Sequence, residues 1–154
     1  MADSRLELAE IVGEEGRQGQ RMQAGGLLSQ MDLVAARVAM RHAHSPVATL
    51  LFDRVELTRP VLHQDLVRMQ GHLVAVGHSS MVVEVVGQRM DALGQAFSPL
   101  LHSFITMVAV DEAGQPNRDI PGLAYAGPEE EAVGQEVARR RPPARRLRRS
   151  RQDD

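Results

Sequence analysis

The chain of 154 residues contains no cysteine. Disulfides, thiolate metal sites and a cysteine nucleophile are therefore excluded. Lysine is absent as well, since all 18 basic residues are arginines, which we attribute to genome composition rather than to function. No uncharged apolar run approaches the roughly 18 residues that a membrane span needs, and residues 1–10 show no basic segment followed by an apolar one. We therefore expect no membrane span and a cytoplasmic location.

The small formal net charge of −2 hides an asymmetry along the chain. Residues 139–154 carry eight arginines and two aspartates, whereas the rest of the chain holds ten arginines and 18 acidic residues. An acidic body argues against binding to a nucleic-acid backbone, so we expect no nucleic-acid partner. The arginine-rich tail has no apolar periodicity and is predicted to be disordered, although a role for it on nucleic acid or a membrane is an open alternative.

Hydrophobic periodicity predicts one long helix and a series of strands. The helix runs from Gly25 to His44 after a strand at 5–12 and a polar loop at 13–24. The strands that follow are predicted at 47–57, 65–76, 79–86 and 100–111. This order favours an α+β fold, in which an antiparallel sheet wraps around one long central helix.

A second, short helix is predicted to open at Pro128, because proline suits the first helical position and Glu129–Glu131 suit the first turn. We therefore divide the chain into a domain at 1–126 and a C-terminal part at 127–154, made of this helix and the arginine-rich tail.

Asp32 is the residue of the long helix that most needs an explanation. At about 100° per residue, Gln30, Arg37 and Arg41 form one polar stripe, and Asp32 falls nearly opposite to it. A carboxylate on the buried side of a helix costs desolvation energy unless a partner or a function uses it. Two explanations stay open from the residues alone: a catalytic group, or a structural carboxylate that caps a strand or pairs with an arginine.

Four segments agree in order and spacing with the motifs of one protein family. A glycine pair leads into Leu-Leu-x-x-Met-Asp and on to Arg-His within residues 25–42. The strand exit Phe-Asp-Arg-Val-Glu-Leu-Thr-Arg-Pro follows at 52–60, the hairpin Val-Gly-His-Ser-Ser-Met at 76–81, and a terminal strand at 104–116. Together these motifs resemble the acyl-CoA thioesterase branch of the hotdog fold, over roughly residues 24–123.

The chain also departs from the family's pattern. Counted without gaps from Gly26, the family's asparagine, glycine and histidine before the glycine pair correspond to Gln18, Arg21 and Ala24. The glycine that usually follows the strand-exit proline is replaced near Gln64, and the hairpin arginine is His78.

The resemblance implies hydrolysis of a fatty or other acyl-CoA to the free acid and coenzyme A, in lipid metabolism. It assigns catalysis to Asp32, as a general base to water or as a nucleophile, to the helix-start amide of Gly26 and to Gln18, which would orient water. Gly26 offers a free amide at the positive end of the helix dipole, where a thioester oxygen would be polarised. A solvated loop glutamine is the alternative for Gln18.

Substrate binding is assigned to Gly25, Arg41, His78, Ser79 and Ser80, since arginine suits the phosphates of coenzyme A. A solvated helix face is the alternative for Arg41.

The resemblance further implies a homodimer, with a trimer of dimers as the full assembly, and an active site shared across the dimer interface. One protomer would give the aspartate and its partner the polarising loop. We expect no metal and no cofactor apart from the coenzyme A of the substrate, because the pair His42 and His44 has no third ligand at suitable spacing. The competing function is a non-catalytic hotdog module that binds acyl-CoA or a partner protein.

Overall fold

The computed structural model describes residues 5–12, 17–18, 21–22 and 24–140. Its elements are, in chain order, β1 (Arg5–Ile11), β2 (Arg17–Gln18), β3 (Arg21–Met22), α1 (Ala24–Ala43), β4 (Val47–Leu57), β5 (Leu66–Val76), β6 (Ser80–Met90), β7 (Ser98–Ala109) and α2 (Pro128–Arg139). The predicted strands and both predicted helices are thus confirmed, with ends shifted by at most a few residues. The segment predicted as a loop before α1 contains the short pair β2–β3.

Five strands form one antiparallel sheet in the order β1-β5-β6-β7-β4. The helix α1 packs against all five strands, so the sheet wraps around it. This is the predicted hotdog fold. Among the described residues β4 pairs with β7 alone, which leaves the outer edge of β4 open.

The core lies between α1 and the inner face of the sheet. The buried side chains of α1 recur every three or four residues and form one apolar stripe: Leu27, Met31, Val34, Ala35, Val38, Ala39 and Ala43. Gly71 of β5 faces this stripe, and a β-carbon there would lie 2.6 Å from Val34 Cγ1. Glycine at this position therefore lets α1 pack closely onto the middle of the sheet.

The second helix covers part of the opposite face. There Val74, Ala75 and Val82 are buried in a separate apolar cluster, which Val137 of α2 helps to close. Within the described ranges, no helix combines the length and the apolar character required to cross a bilayer. The division of the chain at 126/127 stays a prediction, and residues 141–154 of the predicted disordered tail lie outside the described residues.

A buried ion pair stabilises one end of the sheet. Asp65, only 2% exposed, accepts hydrogen bonds from Arg89 Nε at 2.6 Å and from the backbone N–H of Leu62 at 2.7 Å. The preceding residue, Gln64, has a φ of 68° in the left-handed region, which favours glycine. The resemblance places a family glycine near this position, and glycine adopts such a φ without steric cost.

Candidate active site

The first turn of α1 carries the predicted glycine pair. The first four backbone N–H groups of a helix have no partner within the helix, and no acidic side chain lies in this first turn. A β-carbon built on Gly25 would meet nothing within 4 Å. The amides of Gly25 and Gly26 therefore lie next to open space that an anionic or polarised oxygen can enter.

Asp32 lies nearly two turns further along α1. Its carboxylate accepts a short hydrogen bond from the Thr49 hydroxyl of β4. Thr49 Oγ1 also lies 3.4 Å from Met107 Sδ of β7, so the hydroxyl is fixed between the helix and the sheet. Arg54, Arg89 and Arg140 pair with other carboxylates, whereas Asp32 is bound by a hydroxyl.

The predicted burial of Asp32 requires a correction. The buried stripe of α1 is centred on Met31, Val34 and Val38, and Asp32 lies at its margin, partly exposed. The neighbouring Leu28 and Leu33 are 37% and 49% exposed. Because leucine is apolar, the sequence pattern predicted that this face of α1 is part of the core. In a single protomer both leucines are instead exposed to solvent.

An apolar cavity of about 150 Å³ opens beside the start of α1. Four of its lining residues belong to α1 on either side of the glycine pair, two belong to β4, and the last is Leu101 of β7. The free amides of the first turn therefore lie beside a space suited to a short apolar group.

Of the predicted substrate-binding residues, Gly25 lies in the first turn of α1, whereas the other four lie towards the opposite end of the helix. Arg41 is exposed in the last turn, and the β5–β6 hairpin carries an exposed His78 beside the partly buried Ser79 and Ser80. The hairpin tip is joined to β7 by a hydrogen bond from the Ala109 N–H to the Ser79 carbonyl, 2.8 Å long. Met81, the residue after Ser80, pairs with Met107 of β7, and Met107 pairs on its other side with Thr49 of β4. The end of the hairpin therefore lies two strands away from Thr49.

A single protomer does not bring the two groups of predicted residues together. Gly26 and Asp32 are about 9 Å apart by helix rise, and Gly26 and Arg41 about 22 Å. Gln18 lies in β2, where its backbone pairs with that of Arg21, and its side chain is outside the described part of the structure. Asp32, Thr49 and the hairpin therefore form one part of the candidate site, and the glycine pair with its cavity forms another.

A second cluster of titratable groups lies on the opposite face of the sheet. Glu84 of β6 binds His72 Nε2 of β5 at 3.0 Å and His102 Nε2 of β7 at 2.7 Å. The hydrogen bond from His72, followed by that from His102, lowers the pKa of Glu84 to about 2, against the opposing effect of its burial. In the described ranges no three such side chains are arranged to hold a metal ion.

Comparison with known proteins supports the family assignment. The family model for the thioesterase superfamily matches residues 24–91, from the start of α1 to the end of β6. An uncharacterised acyl-CoA thioester hydrolase of Zymomonas mobilis is 34% identical over 96 residues, which cover 62% of this chain and 64% of that protein. Another from Buchnera aphidicola is 32% identical over 101 residues, which cover 63% of this chain and 74% of that protein.

Solved structures are similar over nearly the whole chain. The acyl-CoA hydrolase of Staphylococcus aureus in complex with butyryl coenzyme A superposes with a TM-score of 0.80 at 28% identity, covering 98% of this chain and 93% of that one. A hexameric acyl-CoA thioesterase gives a TM-score of 0.80 at 28% identity, covering 97% and 94%. The chain belongs to the hotdog-fold acyl-CoA thioesterase family.

The structure places beside Asp32 a residue that the sequence analysis missed, Thr49. Structures of the S. aureus enzyme include single alanine variants of an aspartate, of a threonine 17 positions after it and of an asparagine 15 positions before it. Thr49 follows Asp32 at the same separation of 17. The only sequence signal for Thr49 was a lone hydroxyl in an aliphatic strand.

Proposed function

We propose that this protein is an acyl-CoA thioesterase that hydrolyses a fatty or other acyl-CoA to the free acid and coenzyme A. The observation that carries the proposal is the position of the Asp32 carboxylate. Asp32 stands at the position that the resemblance assigns to the family's aspartate. Its carboxylate is partly exposed and accepts a hydrogen bond from the Thr49 hydroxyl. A coenzyme A thiolate is a good leaving group, so the reaction requires no dedicated general acid and no metal or further cofactor.

In the general-base form of the mechanism, Asp32 takes a proton from water while the water oxygen attacks the thioester carbon. The carbonyl oxygen becomes negative, and the first-turn amides of Gly25 and Gly26 stabilise it together with the helix dipole. The tetrahedral intermediate then collapses and releases the thiolate. In the nucleophilic form, Asp32 attacks the carbon itself and water hydrolyses the resulting anhydride.

The proposed site is composite, because one carbonyl cannot reach Asp32 and the Gly26 amide about 9 Å away on the same helix. A two-fold dimer with antiparallel α1 helices brings the partner's first turn towards Asp32. The surface around Asp32 suits such contact: Leu28 and Leu33 are exposed on α1, Leu50 is 39% exposed on β4, and the outer edge of β4 is open. We infer a homodimer on this face.

Three such dimers give the hexamer found in similar thioesterase structures, and we propose the same assembly here. Arg41, His78, Ser79 and Ser80 are proposed to bind the coenzyme A part of the substrate, because they lie on the side of Asp32 away from the protomer's own glycine pair. We place the protein in the cytoplasm and in lipid metabolism, in keeping with this substrate and with a chain that has no cysteine.

A thiol-release assay on acyl-CoA tests the proposal. Asp32→Asn keeps the size of the side chain but removes its basic and nucleophilic oxygen, so kcat should fall at least about hundredfold. Asp119→Asn is the matched control, because Asp119 is an exposed aspartate between β7 and α2 and lies outside the elements that form the proposed site and dimer face. Unchanged turnover in Asp32→Asn would refute the catalytic role.

A non-catalytic acyl-CoA-binding module is the second candidate, because Gln18 and Ala24 stand at the positions that the resemblance assigns to the family's asparagine and histidine. Saturable binding of acyl-CoA by the wild-type protein without release of thiol would favour this candidate.

A further inference from the structure

We infer that the cavity beside the start of α1 is the acyl pocket and that it limits the acyl group to about six carbons. The inference rests on the proposed function for the identity of the ligand. A cavity of 150 Å³ lined by aliphatic side chains holds a benzene-sized molecule, and this one has about that volume and an apolar lining.

The cavity has an exposed end and a buried end. Leu28 and Leu57 at the exposed end are 37% and 44% exposed, whereas Leu27, Met31 and Leu101 are at most 4% exposed. The glycine pair lies between Ala24 and Leu27, both of which line the cavity. A thioester carbonyl on those amides would therefore direct its acyl chain into the cavity.

Leu101 closes the buried end. A β-carbon on Gly87 of β6 would lie 2.6 Å from Leu101 Cγ and 2.9 Å from Met69 Sδ, so Leu101 is packed tightly against this glycine. Leu101 and Gly87 also line a second cavity of about 470 Å³. Leu101 therefore separates the two cavities, and the acyl chain can extend no further unless this side chain is displaced. Leu101 is the residue that sets the length of the pocket.

The test is a panel of acyl-CoAs from acetyl to decanoyl, with both turnover and binding measured. For the wild type, kcat/KM and affinity should rise about fourfold per methylene, the equivalent of about 0.8 kcal/mol, up to about six carbons and then fall. Leu101→Ala should move the optimum towards longer chains by about three carbons, the number that the substitution removes. Leu100→Ala, its equally buried neighbour outside the cavity, should leave the optimum unchanged.

Val55→Phe makes the cavity smaller instead of larger. This second test does not require the Leu101→Ala variant to fold. The ring should fill the cavity, so the ratio of kcat/KM for hexanoyl-CoA to that for acetyl-CoA should fall below the wild-type ratio. A wild-type profile that keeps rising to ten carbons, or the same shift in Leu100→Ala as in Leu101→Ala, would overturn the inference. Calorimetric binding separates the two proposals: a six-carbon optimum in affinity without turnover supports the pocket and refutes the hydrolase.

Discussion

Replacing Thr49 with valine tests how the structure orients the Asp32 carboxylate that we propose to be catalytic. Valine is nearly isosteric with threonine but lacks the hydroxyl that binds Asp32. A hydrogen bond to a charged group contributes about 1.5–3 kcal/mol. If all of it serves to hold the carboxylate in its reactive position, kcat should fall by about 10- to 150-fold. KM should change little, because the Thr49 hydroxyl contacts Asp32 and Met107 and is not among the groups proposed to bind coenzyme A.

The assay is steady-state thiol release over a range of acyl-CoA concentrations, alongside thermal unfolding. Thr49→Ser retains the donor and should recover most of the lost kcat, which a merely structural role would not predict. If Thr49→Val keeps wild-type kcat, or if serine and valine are equally impaired, the hydroxyl does not position Asp32 and the reasoning is wrong.

Three further predictions concern stability. Asp65→Asn should destabilise the fold by about 3–5 kcal/mol in chemical denaturation, since it leaves Arg89 without its buried partner; a loss below about 1 kcal/mol would contradict this. Gln64→Gly should stabilise by up to about 1 kcal/mol by relieving a left-handed φ, and a lower Tm would count against the strain. Glu84→Gln should destabilise by about 1 kcal/mol near pH 6, a figure reduced for solvent screening. Because the folded pKa of Glu84 is about 2, below its ordinary 4.5, this difference should vanish as the pH falls from 4.5 towards 2; a constant difference would refute it.

Most of the fold followed from local patterns in the sequence. The alternation in Leu66–Val76 predicts one buried and one polar face, and Val67, Met69 and Leu73 are buried as the pattern predicts. Val74 on the other face is also buried, because it belongs to the separate cluster that α2 helps to close. The strand β6 ends at Met90, four residues beyond its predicted end. The prediction stopped too early because the apolar pattern breaks off at Gly87, Gln88 and Arg89. In the structure Arg89 is held in the strand by its hydrogen bond to Asp65, 24 residues earlier in the chain. A contact of that kind has no local signal.

The candidate site was only partly accessible from the sequence. The sequence pointed to Asp32 because a carboxylate is unusual among the apolar residues of this helix. Thr49 was missed because it contacts Asp32 from a different element, 17 residues later, and the sequence pattern does not predict that contact. The exposure of Leu28 was also unexpected, because periodicity does not distinguish a core face from one that a second copy would cover.

Complementation between two inactive variants tests most directly whether Asp32 works with a partner subunit's glycine pair. Gly25→Val should fill the open space beside the first turn without disturbing the fold, and Asp32→Asn removes the carboxylate. In a random mixture of the two subunits half of the dimers are mixed, and each mixed dimer has one intact composite site. We therefore predict about a quarter of wild-type turnover from two nearly inactive proteins. No recovery in verified mixed dimers would contradict a site shared between subunits.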